Sequence, residues 1–518
     1  MRKLRITICL VALLAIAVST QAEDFTLTDT QHLDVTETYI NGYLYDYSTA
    51  NLLTGGNILA NLYVNDQAKL DIFDGSVDSI FTYDNTTTNI SGGRVKGIFI
   101  YDNSVLNLSK GNPMSPSISA NNNSTVNVSG IGNMGSLFLS NNSIVNVSER
   151  GGIGNLFVND SGIANISGGS VDYLTTANSS YLGSNVNISD GSVNTLCVYN
   201  TNTVNISGGT IYKFDTYGTS TANISGENIC NFFDTHDNST VNISGRTIYS
   251  NITAHNDSSI NISGGQINQT FQAYDNSIAN ISGGEIKQTF RVYDNSIANI
   301  SSGSARNIAA NDSSTVNISG GSSRQVSVGS TLNMSGGSTF DLSVFLDATV
   351  NISGGTISEF LNVYGNSTLN ISGGSIDALT SIDGSSTANI SGGSMRSLTA
   401  YSSSIINISD GSMIRLTTED SSIANISGGS IEKLYADERS TVIFDGYGFT
   451  LGDGLSWDID GQTILGTGTL TGTWFNNTSF DIEIGQHDAT ATIMAIPEPA
   501  TLVLLSLAGL FLRKKNRR

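Results

Sequence analysis

The sequence predicts an all-β chain: a parallel β-solenoid (β-helix) of about 23 coils of 18–19 residues, closed by a small C-terminal β cap. Three observations carry this. The phrase Asn-Ile-Ser-Gly-Gly, or a close variant, recurs from Asn89 to Asn425 in nineteen clear copies, most of them 18 or 19 residues apart. Apolar residues flank each Asn at alternate positions, so in a strand they share one face while the Asn takes the other. Proline is nearly absent, as a ladder of backbone donors requires; Pro113 and Pro116 are the only ones before the C-terminal tail, in a 20-residue coil where a loop can bulge out. A repeat this short cannot bury its own apolar residues and becomes stable only by stacking on its neighbours.

Residues 1–22 combine Arg2, Lys3 and Arg5 with an apolar run from Ile6 to Val18 and a Ser-Thr-Gln-Ala exit before Glu23, the three-part form of a secretory signal peptide. Residues 23–50 are expected to form the N-terminal cap and first coil, and residues 51–444 the solenoid repeats, with degenerate copies at Asp34, Asn51, Asp71 and Ile443. Within one coil, Ala424 and Ile426 flank Asn425 and point inward, Gly428-Gly429 supplies a tight corner, and Ile431 begins the next inward set. A third set follows at plus nine and plus eleven in 18-residue coils (Leu434, Ala436) and one position later in many 19-residue coils (Phe290, Val292), so the extra residue belongs in the intervening corner. Three inward sets joined by three corners describe a parallel solenoid whose handedness the spacing does not reveal. Stacked about 4.8 Å apart, the coils would make a rod near 110 Å long. Residues 445–495, with Trp457, Trp474 and alternating runs, form the expected C-terminal β cap.

At the end of the chain, Pro497-Glu498-Pro499 precedes thirteen mostly apolar residues, Ala500 to Leu512, and then Arg513, Lys514, Lys515, Arg517 and Arg518. Thirteen helical residues reach about 20 Å against a hydrocarbon core of about 30 Å, so the segment suits transient holding at a membrane, basic end inside. Residues 496–518 resemble the PEP-CTERM sorting signal of bacteria. That resemblance implies export, processing near the Pro-Glu-Pro by an exosortase-type protease, and an association with exopolysaccharide and biofilm or floc formation. The expected location is the cell surface or extracellular matrix.

Without its two ends the chain keeps 15 basic and 43 acidic residues, near −28, which disfavours nucleic acid and anionic lipid as partners. The acid reads as scattered along the sequence, a source of solubility and of repulsion between rods. Cys197 and Cys230 sit two coils apart in different registers, near 10 Å, and are expected to be free thiols.

Candidate chemistry is sparse. His32, His236, His255 and His487 lie far apart, and no Cys or His cluster has metal-ligand spacing, so neither a metal nor a cofactor is expected. Asp-Gly replaces Gly-Gly at Asp74, Asp190 and Asp410 only in isolated coils, which does not make an ordered calcium ladder. The rival enzymatic reading is a β-helix polysaccharide lyase or glycoside hydrolase, with Glu419 and Asp420 or Asp437, Glu438 and Arg439 as its charged corner. Such an enzyme should contain one or two coils whose outward residues break the pattern with clustered charge. The dominant polar feature is instead the outward Asn, at Asn165, Asn205, Asn261, Asn280, Asn351, Asn370, Asn389, Asn425 and their equivalents. These Asn residues are either an amide ladder or sequons, with the ladder favoured for most copies. The expectation is a non-catalytic structural or adhesive surface protein, whose candidate partners are exopolysaccharide, a neighbouring cell surface and other rods side by side.

Overall fold

The computed structural model describes residues 22–496 apart from 110–115, 131–133, 178–182, 227–228, 246, 460 and 486–489, and apart from the side chains of 229–231 and 496. Every regular element in it is a β-strand, and all but two of the strands join one continuous sheet that winds as a parallel solenoid of about 21 turns. At about 4.8 Å per turn the rod is roughly 100 Å long.

The coil that begins at Thr240 shows the plan. Its strands Thr240–Ile243, Thr247–Ile248 and Asn251–Ala254 pair in parallel register with the coils before and after, Asn242 lying between Asn223 and Asn261. Val241, Ile243, Ile248, Ile252 and Ala254 fill the interior with no more than 3% of their surface exposed. Stacking brings apolar residues of adjacent coils into interior columns, in places like on like, as in Phe271 against Phe290 with ring centroids 4.6 Å apart. The extra residue of a 19-residue coil sits after the second inward position, plus six counted from the Asn, where Ile286–Thr289 bulges against Ala305–Asn307.

The two corner glycines serve different ends. A Cβ on Gly428 would lie 2.0 Å from the Ser409 carbonyl oxygen of the coil below, whereas Gly429 adopts a φ of 81°, which L residues rarely take. The corner before most of the described Asn strands is a four-residue turn such as Tyr274-Asp275-Asn276-Ser277. Its second residue has positive φ (Asp275, 60°), and the Ser277 N–H donates back to the Tyr274 carbonyl at 3.1 Å. Asp and Asn recur at that second position because they tolerate left-handed backbone better than other L residues. Ser recurs at the fourth, fully buried, and Ser104 shows one use of it: its hydroxyl donates to the Tyr101 carbonyl at 2.6 Å. The coil that begins at Asn317 is only 16 residues long, because Gly329-Ser330 replaces the four-residue turn.

At the C-terminal end the chain doubles back onto the last coils. Thr441–Leu451 pairs antiparallel with Gly468–Trp474, which pairs antiparallel with Ser479–Ile484. Thr492–Ile496 then lies parallel on the far edge of Thr441–Leu451, and Ser479–Ile484 on that of Ser430–Ala436. Exposed strand edges are thereby paired. Trp474 is fully buried against Phe444 and Phe480, and its indole N–H donates to the Gly429 carbonyl at 3.0 Å. Trp457 lies half exposed in a separate two-stranded ribbon.

Candidate functional surface

Three of the outward surfaces that run along the rod differ in chemistry. The first is the Asn face. From Asn107 to Asn425 each side chain donates its Nδ2–H to the Oδ1 of the preceding rung at 2.7–3.0 Å without interruption. Asn165, Asn205, Asn261, Asn280, Asn351, Asn370, Asn389 and Asn425 are all rungs of this ladder. Asp71 and Asp34 stand at its N-terminal end and set its polarity, since a carboxylate can only accept: Asn89 donates to Asp71 at 2.7 Å and Asn51 to Asp34 at 2.8 Å. Their charge also suits that end, towards which the amide donors point. Each amide keeps one N–H and one lone pair for other partners.

The second surface follows the four-residue turns. Part of the acid that looks scattered in the sequence is aligned here, because the positive-φ position selects Asp or Asn in coil after coil. The Asp46, Asp66, Asp84 and Asp102 carboxylates each accept the backbone N–H of the preceding turn, at 3.1–3.4 Å, and Asp275, Asp294, Asp312 and Asp420 do the same. The residue before forms a column of rings, Tyr199, Tyr217, His236, His255, Tyr274 and Tyr293, with centroids 4.7–5.4 Å apart and planes within 9°. Rings stacked this way spend their faces on one another and show water only their edges, so they stiffen the corner and offer no platform for a sugar.

Burial, and secondarily its neighbour His255, holds the His236 imidazole below its ordinary pKa. Burial pushes the Tyr199 hydroxyl up to about 12 and raises the Cys197 thiol as well. Cys197 is buried and free, its Sγ 3.8 Å from Asp215 Oδ2; the side chain of Cys230 lies outside the described residues. Glu419, Asp420, Asp437 and Glu438 occupy this same turn surface, and Arg439 follows directly. The Glu419 carboxyl is raised by burial and then by repulsion from Asp437, Asp420 and Glu438. Among the described residues no group of three or more His, Cys, Asp or Glu is placed to hold a metal ion.

The third surface lies around the position after the second apolar set and is the aperiodic one. Leu59, Tyr212, Tyr249, Phe340, Phe360, Leu379 and Ile414 all project from it, each 45–59% exposed. Here, between residues 285 and 360, the wall is dented. The interior Ile of neighbouring coils (Ile286, Ile357) gives way to Ala305, Ser323 and Thr339 on the three coils between, which align with them in register. The missing side-chain volume opens a groove of about 820 Å³ to solvent and leaves a void of about 10 Å³ beneath it, roughly one water's worth. Lys287, Arg306 and Arg324 follow one another up the groove on successive coils, and Phe340 takes the equivalent place on the fourth. No described carboxylate lies within ion-pair distance of these three cations. Glu285, hydrogen-bonded to Gln266 Nε2, lies at one end of the groove; Asp341 and Glu359 lie at the other. Clustered outward charge therefore does occur, at coils that sequence reading passed over. Its signal was the loss of the plus-six Ile.

Pro497, Glu498, Pro499, Arg513, Lys514, Lys515, Arg517 and Arg518, the residues of the expected sorting signal, lie outside the described residues, as does His487. No family model, curated protein or solved structure matches this chain.

Proposed function

We propose that the chain is an exported structural or adhesive rod of the cell surface or extracellular matrix that meets exopolysaccharide, and that its tail is processed by an exosortase-type protease. One observation carries the structural part. The Asn ladder and the stacked interior columns continue through coil after coil, an arrangement whose product is length and stiffness rather than one enclosed site. The tail residues and the signal-like N-terminus support the location, and the strongly acidic sides keep separate rods soluble. Low-affinity contacts repeated along a stiff rod gain by multivalency what each one lacks.

The groove at residues 285–360 supports a second reading, the β-helix lyase or hydrolase, because it gathers Glu285, Asp341 and Glu359 with Arg306 and Arg324 on neighbouring coils. Incubating the full-length protein with the producing organism's own exopolysaccharide separates the two. Retention of polymer with no new reducing or unsaturated ends supports the adhesive rod. New chain ends would replace it with the enzymatic reading, and absence of retention would leave only a spacer.

A further inference from the structure

We propose that the groove between residues 285 and 360 is a binding site for a carboxylate-bearing polysaccharide, a polyuronate, lying along the rod axis. The proposal names the ligand class and place of the glycan contact inferred above, and rests on that reading only for its biological setting.

The cations come first. In a chain with such an excess of acid, Lys287, Arg306 and Arg324 stack on three successive coils with no described carboxylate in ion-pair range. Like charges carried on neighbouring strands, whose backbones lie about 4.8 Å apart, repel one another. An anion between them relieves that repulsion, and guanidinium groups present the planar fork that carboxylates accept two bonds from. The line of cations follows the rod axis, so the matching ligand carries its anions in a line, as a polymer with one carboxylate per sugar does.

The floor comes second. Ala305 and Ser323 withdraw the wall where the cations stand, so a chain lying there is cradled rather than perched. The third element is apolar. Phe340 is 55% exposed and Phe360 45%. Among the described residues neither ring stacks on another ring, unlike the edge-on rings of the turn surface, so these exposed aromatics suit contact with the C–H face of a pyranose. The rod's overall negative charge opposes a polyanion at long range, but salt screens that beyond about 8 Å, leaving the groove's own cations to decide contact. Glu285 at one end, and Asp341 and Glu359 at the other, bracket the cationic stretch and limit it to three coils. A nucleic acid, with its denser charge, fits this bracket less well.

The test is binding of the full-length protein to polygalacturonate at physiological salt, against carboxyl-reduced polymer of the same length, by affinity electrophoresis. Binding of the native polymer, lost on carboxyl reduction, is expected. The double variant Arg306→Ala/Arg324→Ala should weaken it by at least about tenfold, since two charge-assisted contacts go. Ala305→Ile, which restores the consensus interior residue and fills the floor while keeping both arginines, should weaken it too. Arg396→Ala, higher on the same face and outside the groove, should not. Equal binding of the reduced polymer, unchanged binding by the double variant, or tighter binding of single-stranded DNA than of polygalacturonate through the same arginines would each overturn the proposal. Retention of a neutral exopolysaccharide together with indifference to polygalacturonate would overturn it while leaving the adhesive rod intact.

Discussion

Replacing Asn280 is the sharpest probe of what holds the rod in register. Asn280 donates to Asn261 at 2.8 Å and accepts from Asn299 at 2.9 Å. Asn280→Ala removes both bonds, and at about 0.5–1.5 kcal/mol net for each, the coil should lose about 1–3 kcal/mol of local stability. Asn280→Asp distinguishes ladder polarity from a general preference for a polar residue. Its carboxylate still accepts from Asn299 but faces the Asn261 carbonyl oxygen with no proton to offer, so at neutral pH the variant should be no better than Ala. Protonation restores a donor. The carboxyl in this place should titrate above its ordinary value of about 3.9, because the folded state favours the protonated form. The Asp variant should therefore recover stability relative to Ala as pH falls through that raised pKa. The natural acids Asp71 and Asp34 escape the problem. Lys69 Nζ lies 2.7 Å from Asp71, and Asp34 stands at the start of the column beside His32. Hydrogen exchange resolved by peptide is the suitable assay, since a solenoid opens locally rather than all at once. Loss of protection should centre on residues 261–299 and fade within a coil or two. Protection equal to wild type in Asn280→Ala, or an Asp variant as protected as wild type at neutral pH, would refute the directional ladder.

Three further outcomes follow from the packing and the titrating groups. Phe290→Ala empties a fully buried position against Phe271 and should cost about 3–5 kcal/mol, read as protection lost in the coils either side; an effect confined to its own strand would contradict the stacked column. The depressed His236 pKa means the unfolded coil binds the proton first. Stability there should be unchanged above about pH 6.5 and fall as pH drops below it, despite partial compensation from Asp234, Asp215 and Asp237. His236→Tyr, which matches Tyr217 and Tyr274 in the ring column, should remove that component, and identical exchange-versus-pH profiles for the two proteins would dispose of it. Cys197, buried and with its thiol raised, should resist alkylation near pH 7.5 until denaturant is added, as followed by peptide mapping; rapid labelling of the folded chain would show the wall open at that coil.

The fold was legible because every determinant of it recurs. Ala424, Ile426 and Ile431 declare their faces by spacing, and the two glycines declare a corner, so reading one coil reads the rest. The cap resisted because nothing in it repeats: Trp474 could be assigned to a β segment, but its bond to the Gly429 carbonyl, 45 residues earlier, depends on the chain doubling back. The acid column was hidden for a subtler reason. Asp46, Asp66 and Asp84 are 20 and 18 residues apart, and only the shared turn conformation shows that unequal coils bring them into line. The groove is the reverse case. Ala305 and Ser323 look like ordinary drift within a degenerate repeat, and Arg306 and Arg324 look like two charges in isolation. Only stacking makes the two small residues one dent and the two arginines one column. In a solenoid the repeat specifies the scaffold and therefore carries little information about a ligand. Recognition of a particular polymer has to be built from departures, and departures that coincide on adjacent coils, in the same outward column, are the ones that can act together on a single ligand.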